Sequence, residues 1–193
     1  MTLEVQHLDL GPNVDVRYYP RWLSFKEAIR HFEVLQRTIP FEQHRVVIIN
    51  SSVPQPRLTC WFGNGNYTYS GLTLKAHPLL PELHELSNKL KTDLDLEFNS
   101  ILANYYRDGQ DRVSWHADDE RAIGPVIASV SLGEMRKFGI RNRELNKNIS
   151  LDLQTGSLLI MAGETQKHCQ HCIFPTKQNV GPRLNLTFRS FMI

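Results

Sequence analysis

The segment from Arg183 to Arg189 alternates strictly between polar and apolar residues, and it constrains the fold more than any other part of the chain. Its odd positions carry Arg, Asn, Thr and Arg, and its even positions carry Leu, Leu and Phe. Since successive side chains of a β-strand point to opposite faces, the segment predicts a strand with one polar face. That face either meets water, as on a half-exposed strand, or forms a carboxylate site, because arginine binds carboxylates bidentately.

Short β-type runs recur elsewhere, punctuated by turn-forming Gly, Asn and Asp. Two helices are predicted before most of them. The first covers residues 24–37, where Ser24 and Glu27 form a capping-box pattern, and the second begins at Pro81. Early helices followed by many strands indicate an α+β chain whose second part is a β-sandwich or small barrel. The predicted strands are residues 45–49, 58–62, 98–106, 125–132, 157–162 and 184–192.

The composition is typical of one compact domain. The chain has 193 residues, 41% of them hydrophobic, and a net charge of +2, which permits a nucleic-acid partner without arguing for one. Three cysteines fit a reducing compartment better than a disulfide framework. The first residues lack the pattern of a signal peptide, and no run approaches the ~18 apolar residues of a membrane span. We therefore expect an intracellular protein, cytoplasmic or nuclear, without membrane association.

One residue separates His116 from Asp118, and both residue types bind metal ions. On extended backbone the two side chains point the same way, so that one cation could contact an imidazole and a carboxylate. The pattern recurs by chance, and a third ligand has to come from His168 or His171. Two histidines and one carboxylate on one face of a metal leave positions open for a co-substrate and O2, as in non-haem Fe(II) oxygenases.

Several longer sequence blocks follow one another in a fixed order. They are PRLTCWFG (56–63), YTYSGLT (67–73), FNSILANYYRDGQD (98–111), WHADDE (115–120), IASVSLG (127–133), GSLLIM (156–161), QHCIFP (170–175) and PRLNLTFR (182–189). In this order they resemble the AlkB-type Fe(II)/2-oxoglutarate-dependent dioxygenases, which are nucleic-acid dealkylases. The resemblance implies a double-stranded β-helix, or jelly-roll, core with the N-terminal helices packed on one sheet. It implies a single dioxygenase domain over residues 1–193, with a nucleotide-recognition lid within 1–97 and the catalytic core in 98–193.

The resemblance also implies a metal centre that holds Fe(II). Carried over to this chain, its ligands would be His116, Asp118 and His171. His171 is preferred to His168 because the family's distal histidine lies in a pattern like Gln-His-x-x-x-Pro, which residues 170–175 match.

The implied co-substrates are 2-oxoglutarate and O2. Arg183 and Arg189 would hold the carboxylates of 2-oxoglutarate. The implied reaction demethylates 1-methyladenine and 3-methylcytosine in DNA or RNA, with conversion of 2-oxoglutarate to succinate and release of formaldehyde. Further residues of the co-substrate pocket would be Asn104, Tyr106, Asn185 and Thr187.

A substrate pocket is implied beside the metal. Tyr69 would stack on the flipped base, since every base offers a π-face. Asp119 and Glu120 would contact the nitrogens of the base and favour a cationic methylated base over a neutral one. Tyr67 would support the pocket wall, and Phe41 falls where the single-strand-directed branch has an aromatic residue. The alternative for both tyrosines is ordinary packing on an edge strand.

Two cysteines flank the expected distal ligand, where relatives often carry other residues. Cys169 and Cys172, taken with His168 and His171, suggest a zinc site as an alternative. A structural zinc site usually takes four ligands, however, and the chain has no second matching pair. In an iron enzyme the same cysteines would make the site sensitive to oxidation.

The expected partner is single-stranded nucleic acid rather than duplex, bound by a monomer. The segment between Arg141 and Ile149 is short compared with duplex-specialised relatives. Residues 45–50 offer aliphatic but no aromatic side chains where such relatives carry a base-wedging aromatic residue, although aliphatic wedges also occur. The candidate phosphate contacts, or else plain solvated charges, are Arg57, Arg107, Arg112 and Arg136.

Two other functions remain open from the sequence. One is an oxygenase of the same type that acts on a protein or a small molecule. The other is a non-catalytic metal-binding or interaction module on the same barrel, against which the intact set of iron and co-substrate residues argues.

Overall fold

Most of the chain forms β-strands. A computed structural model describes residues 3–48, 51–69, 71–120 and 122–191, with the backbone alone at positions 48 and 69. The helices are α1 (Phe25–Thr38), α2 (Pro81–Leu94) and the single-turn α3 (Thr165–His168). The first strands are β1 (Gln6–His7), β2 (Val14–Tyr19), β3 (Arg45–Ile48), β4 (Ser51–Pro54), β5 (Leu58–Phe62), β6 (Tyr67–Tyr69), β7 (Leu72–Leu74) and β8 (Ala76–His77). The later strands are β9 (Ser100–Tyr106), β10 (Val113–His116), β11 (Ile123–Gly133), β12 (Arg136–Asn142), β13 (Lys147–Leu153), β14 (Leu158–Gly163), β15 (Cys169–Ile173) and β16 (Arg183–Phe191).

Two sheets of unequal size form the core. The larger has the strand order β1-β2-β14-β11-β16-β9-β5-β8, and the smaller has the order β10-β15-β12-β13. Neighbours are antiparallel except β5 and β8, which are parallel. Strands that follow one another in the chain often lie in different sheets, as in a jelly roll. The predicted α+β class with a jelly-roll core is confirmed.

The larger sheet separates two hydrophobic cores. On one face, Leu35 of α1 and Leu86 of α2 belong to the same buried cluster as Phe188 of β16. On the other face, Ile127 of the larger sheet and Phe138 of the smaller sheet share a second cluster. The helices therefore cover one face of the larger sheet, as the family resemblance implied, and the smaller sheet covers the other.

Strand β16 is buried on both faces. Its apolar residues Leu184, Leu186 and Phe188 belong to the core on the helix side. Its polar residues point the opposite way, yet Arg183 is only 1% exposed and Arg189 only 3% exposed. The alternative of a half-exposed strand with its polar face in water is therefore wrong. The polar face lines a cavity between the sheets.

The two long helices are confirmed close to their predicted positions. Ser24 caps α1 with the reciprocal hydrogen bonds of a capping box to Glu27, and Pro81 occupies the first turn of α2. The predicted order of helices before most strands is wrong, because β1 and β2 precede α1 and β3 to β8 lie between α1 and α2. Strand β2 lies inside the larger sheet next to β14, and β5 lies next to β9. Elements from both sides of residue 97 thus share one sheet, and the division of the domain there stays a prediction.

Among the described residues, no helix is long and apolar enough to cross a membrane.

An aromatic pair packs on the outer face of the smaller sheet and holds the strand that carries His116. Trp115 and Phe174 meet edge to face with ring centroids 5.7 Å apart. Gly139 lies beneath them, and a Cβ atom there would come within 2.7 Å of Phe174 Cε2 and 2.8 Å of Trp115 Cη2. A side chain at this position would have to displace both rings.

We expect Gly139→Ala to lower the free energy of unfolding by about 1–3 kcal/mol, the usual cost of overpacking. Urea denaturation measures it. Gly181→Ala is the control, because the nearest atom to its new Cβ would lie 3.5 Å away, at Glu134 Oε2. Equal stability of the two variants would contradict the close packing described here.

Candidate active site

Two histidines face each other across neighbouring strands. His116 of β10 and His171 of β15 are paired in the antiparallel register, and their ring centroids are 4.3 Å apart. Asp118 lies just beyond β10, with Oδ1 3.7 Å from His116 Nε2 and Oδ2 3.9 Å from His171 Nε2. The three donor atoms all lie within 4.8 Å of one another. A single ion among them would contact all three side chains.

The protonation states of these groups suit metal binding. His116 Nδ1 is 2.8 Å from the carbonyl oxygen of Ser114, to which it donates, so Nε2 is the nitrogen left to bind a metal. Burial, reinforced by His116, lowers the pKa of His171 to about 3 and keeps this imidazole neutral. Burial alone would raise the pKa of Asp118, but the charges of Arg189, His171 and His116 and the hydrogen bond from Arg189 together outweigh it, and the pKa is about 2. Neutral imidazoles and an ionised carboxylate are the forms that bind metals.

Asp118 is held at both its side chain and its backbone. Arg189 Nη2 lies 2.8 Å from Asp118 Oδ1. The backbone N–H of Asp118 donates to Gln166 Oε1 at 2.9 Å. Gln166 was missed from the sequence, because a glutamine on a one-turn helix carries no pattern that marks it as part of a site.

The donor set fits Fe(II) better than a closed zinc site. Two imidazoles and one carboxylate leave coordination positions open. His168 is directed elsewhere, 3.2 Å from Glu144 and 3.3 Å from Glu164. Cys169 and Cys172 are free and buried, and burial raises the pKa of both thiols. In the described part of the chain neither cysteine belongs to a cluster of metal-binding side chains, so the zinc alternative has no support.

Arg183 is a buried cation with unused hydrogen-bonding capacity. Its Nη2 donates to Ser131 Oγ at 2.9 Å, and its guanidinium carbon lies 5.1 Å from the centre of the Tyr106 ring. Within the described residues, Nε and Nη1 are buried without a hydrogen-bond partner. Burial lowers the pKa of Arg183 despite the opposing effect of Tyr106, and the nearby positive charge of Arg136 lowers it further. A ligand carboxylate would satisfy both nitrogens and the charge.

The other polar residues of this face are partly committed to one another. Asn185 Nδ2 donates to Ser129 Oγ at 2.7 Å, and Thr187 Oγ1 donates to Asn185 Oδ1 at 3.1 Å. Asn104 Oδ1 accepts a hydrogen bond from Arg57 Nε at 2.7 Å, which leaves its amide NH2 group for a ligand. Asn185 and Thr187 therefore mainly fix the wall.

One cavity of about 340 Å³ joins the metal triad to the polar face of β16. Val46 and Val47 of β3 lie along it, and Val47 is 66% exposed. Arg57 and the exposed Arg112 also line it. The predicted site residues that line this cavity are His116, Asp118, His171, Asn104, Tyr106, Arg183, Asn185, Thr187, Arg189, Tyr67 and Glu120.

Tyr67 connects the two ends of the site. Its hydroxyl donates to Glu120 Oε1 at 2.8 Å and accepts from Arg189 Nη1 at 2.9 Å. The ring stacks on Trp61 with centroids 4.5 Å apart and is almost fully buried. Tyr67 thus forms part of the cavity wall, and its hydroxyl fixes the carboxylate of Glu120.

Two of the three remaining predicted substrate residues lie away from the cavity, and the side chain of the third is not described. Asp119 is exposed and does not line it. Phe41 packs against Tyr105 on the helix side of the larger sheet, with ring centroids 5.1 Å apart. Tyr69 ends strand β6, but its side chain lies outside the described part of the chain.

Both predictions for Arg136 are wrong, because this residue is neither available to contact phosphate nor a solvated surface charge. It is 2% exposed and donates to backbone carbonyl groups, which are those of Asp108, Gly109, Asp111 and Phe174. Arg107 is paired with Asp111 at 2.8 Å. Only Arg57 and Arg112 of the four candidates lie at the cavity.

Comparisons with known proteins agree with this geometry. Residues 15–189 match the 2OG-Fe(II) oxygenase superfamily. The chain is 40% identical over 184 residues to alpha-ketoglutarate-dependent dioxygenase alkB homolog 3 of Mus musculus, an alignment that covers 89% of this chain and 64% of the mouse protein. It is 32% identical over 213 residues to DNA oxidative demethylase ALKBH2 of Arabidopsis thaliana, with 94% of this chain and 68% of that protein covered.

The chain thus spans less than two thirds of the length of the mouse relative. The solved structure of OsALKBH1 has the same fold, with a TM-score of 0.68 at 16% identity over 97% of this chain and 100% of that one. The family resemblance read from the sequence blocks is confirmed: this chain belongs to the 2OG-Fe(II) oxygenase superfamily.

Proposed function

We propose that this chain is an Fe(II)/2-oxoglutarate-dependent dioxygenase that demethylates N-alkylated bases, such as 1-methyladenine and 3-methylcytosine, in DNA or RNA. One observation carries the proposal. The cavity that contains the His116, Asp118 and His171 cluster also contains Arg183, whose buried guanidinium has two nitrogens without a hydrogen-bond partner among the described residues. A metal site and a carboxylate site in one chamber are what a 2-oxo acid co-substrate requires. The relatives' names supply the substrate class.

The metal triad would hold Fe(II) through two imidazole nitrogens and one carboxylate oxygen. Fe(II) with 2-oxoglutarate supplies the oxidation of the substrate by O2 and the release of succinate and CO2. The contribution of the protein is position and charge. Arg189 donates to Asp118 Oδ1 and thereby keeps the carboxylate ionised and in place.

Arg183 would receive the carboxylate of 2-oxoglutarate that lies away from the metal. Arg189 contacts Asp118, whereas Arg183 is six residues away on the same strand, about 20 Å along the backbone. The two long arginine side chains therefore mark the two ends of the co-substrate pocket. Asn104 would donate a hydrogen bond to 2-oxoglutarate from its amide NH2 group, since its oxygen already accepts one from Arg57.

Glu120 would recognise the base. Its Oε1 accepts the Tyr67 hydroxyl hydrogen, while Oε2 is buried without a partner among the described residues. An amino group of the base would satisfy this oxygen, and the negative charge would favour a cationic methylated base. The base has to leave its stack to reach the cavity, which costs least in damaged or single-stranded nucleic acid.

Single-stranded nucleic acid is the partner that we propose, bound by a monomer within the cell, in the cytoplasm or the nucleus. The connection between β12 and β13 spans only residues 143–146, which leaves little chain to contact a second strand. Val46 and Val47 present aliphatic side chains at the cavity.

The test is an assay of formaldehyde, succinate and repaired base with oligonucleotides that contain 1-methyladenine. Methylated single-stranded DNA, duplex DNA and RNA compete at equal concentration, and unmethylated strands serve as controls. We expect repair with equal yields of succinate and formaldehyde, and preference for single strands. Succinate formation without repair of any of the three nucleic acids would overturn the proposal in favour of an oxygenase with a protein or small-molecule substrate.

A further inference from the structure

The segment that carries Asp118 has no strand pairing of its own. Residues 117–120 lie between β10 and β11 without regular secondary structure, although Asp118 is only 7% exposed. A buried backbone N–H needs a hydrogen-bond partner. For Asp118 this partner is the side chain of Gln166, whose Oε1 accepts at 2.9 Å. The position of the carboxylate ligand thus depends on a residue that is distant in the sequence.

The amide group of Gln166 is oriented for this contact. Its Nε2 is directed at Met161 Sδ, 3.6 Å away on β14, which leaves Oε1 facing the Asp118 backbone. The helix α3 that carries Gln166 is itself anchored. Thr165 is 1% exposed, and its hydroxyl donates to the carbonyl group of Ala162 and lies 3.3 Å from that of Asp15.

The same short segment carries another ligand. Helix α3 ends at His168 and continues directly into β15, so that His171 lies five residues after Gln166. The hydrogen bond from Asp118 to Gln166 therefore joins the loop of one ligand to the segment of another. Arg189 neutralises the charge of Asp118, but it contacts only the side chain. Gln166 is the contact that fixes the backbone.

We propose that Gln166 is a positioning residue for the metal centre, which holds the Asp118 backbone so that its carboxylate stays within reach of His171. The inference rests on the proposed metal site. It predicts that loss of the acceptor oxygen of Gln166 weakens metal binding without unfolding the protein. Partners of metal ligands that lie outside the coordination sphere typically change metal affinity by about 10–100-fold.

Cobalt(II) titration of the metal-free protein, followed by visible absorbance, measures the affinity directly. We expect Gln166→Leu to raise the Kd for Co(II) at least about tenfold. Gln166→Glu should recover most of the affinity, because a carboxylate oxygen accepts the same backbone hydrogen bond. Gln110→Leu is the matched control, since the Gln110 side chain also bonds to a backbone group, Thr176 O at 3.1 Å, and the hydrogen bonds described for Gln110 involve none of the three metal ligands. It should bind Co(II) like the unmodified chain.

Thermal melting of each metal-free variant shows whether a weaker affinity for Co(II) comes from a displaced metal ligand or from a less stable fold. If Gln166→Leu does not fold, Gln166→Met, which keeps the length of the side chain without the amide, takes its place. The inference is overturned if a folded variant without the acceptor binds Co(II) as tightly as the unmodified chain. It is also overturned if Gln166→Glu binds as weakly as Gln166→Leu. Failure of the unmodified chain to bind Co(II) would instead contradict the proposed metal site itself.

Discussion

Alanine in place of His171 is expected to abolish iron-dependent succinate formation, whereas alanine in place of His168 should leave it almost unchanged. His171 faces His116 across β10 and β15 and lies 3.9 Å from Asp118 Oδ2. His168 precedes the strand and is bonded to Glu144 and Glu164. We expect a loss of more than about a hundredfold for His171→Ala, since removal of an outer partner of a metal ligand already costs up to that much.

The two histidines form a matched pair because only three positions separate them. The measurements are succinate release with added Fe(II) and Co(II) affinity, with the melting temperature as a check on folding. Partly exposed polar contacts such as those of His168 contribute little to stability, so His168→Ala should stay within about twofold of the unmodified activity. An active His171→Ala protein, or an inactive but folded His168→Ala protein, would show that the third ligand has been misassigned.

The sequence alone could not choose between these histidines by chemistry. The spacing of His116 and Asp118 predicts a shared face on an extended strand. The two side chains do come together, although Asp118 lies beyond the end of β10. The choice of His171 depended on the resemblance to a family pattern. In the structure the reason is physical: β15 begins at Cys169, and its pairing with β10 places His171 opposite His116.

Features that depend on tertiary structure were harder to predict. Strand β12 was missed because charged and polar residues break up its apolar pattern, although it is mostly buried between β13 and β15. Strand β13 was missed although Ile149, Leu151 and Leu153 alternate with polar residues. The polar face of β16 looks the same in sequence whether it meets water or a cavity. Arg136 illustrates the limit, since its burial depends on carbonyl groups from loops that its neighbours in sequence do not reveal.

Methionine in place of Arg183 is expected to raise the KM for 2-oxoglutarate by about a hundredfold. The buried guanidinium has two nitrogens without a partner in the described part of the chain, and a carboxylate would use them. Truncating one partner of a buried, hydrogen-bonded charge pair costs about 2–5 kcal/mol, and about 3 kcal/mol corresponds to a hundredfold. Methionine keeps an unbranched side chain beside Tyr106, and the loss of an unpaired buried charge should not lower the melting temperature of the protein without ligand.

A co-substrate analogue identifies which carboxylate Arg183 binds. 2-Oxopentanoate has a methyl group where 2-oxoglutarate has its second carboxylate, and the 2-oxo acid end is the same. The unmodified chain should form succinate from 2-oxoglutarate about a hundredfold more efficiently than butyrate from 2-oxopentanoate. The analogue lacks the carboxylate that pairs with Arg183, which costs about 3 kcal/mol. In the Arg183→Met protein this preference should disappear, because the only group that distinguishes the two acids has lost its partner. If the variant still discriminates as strongly, another residue binds the second carboxylate, and Arg189 at the metal end is then the first to test.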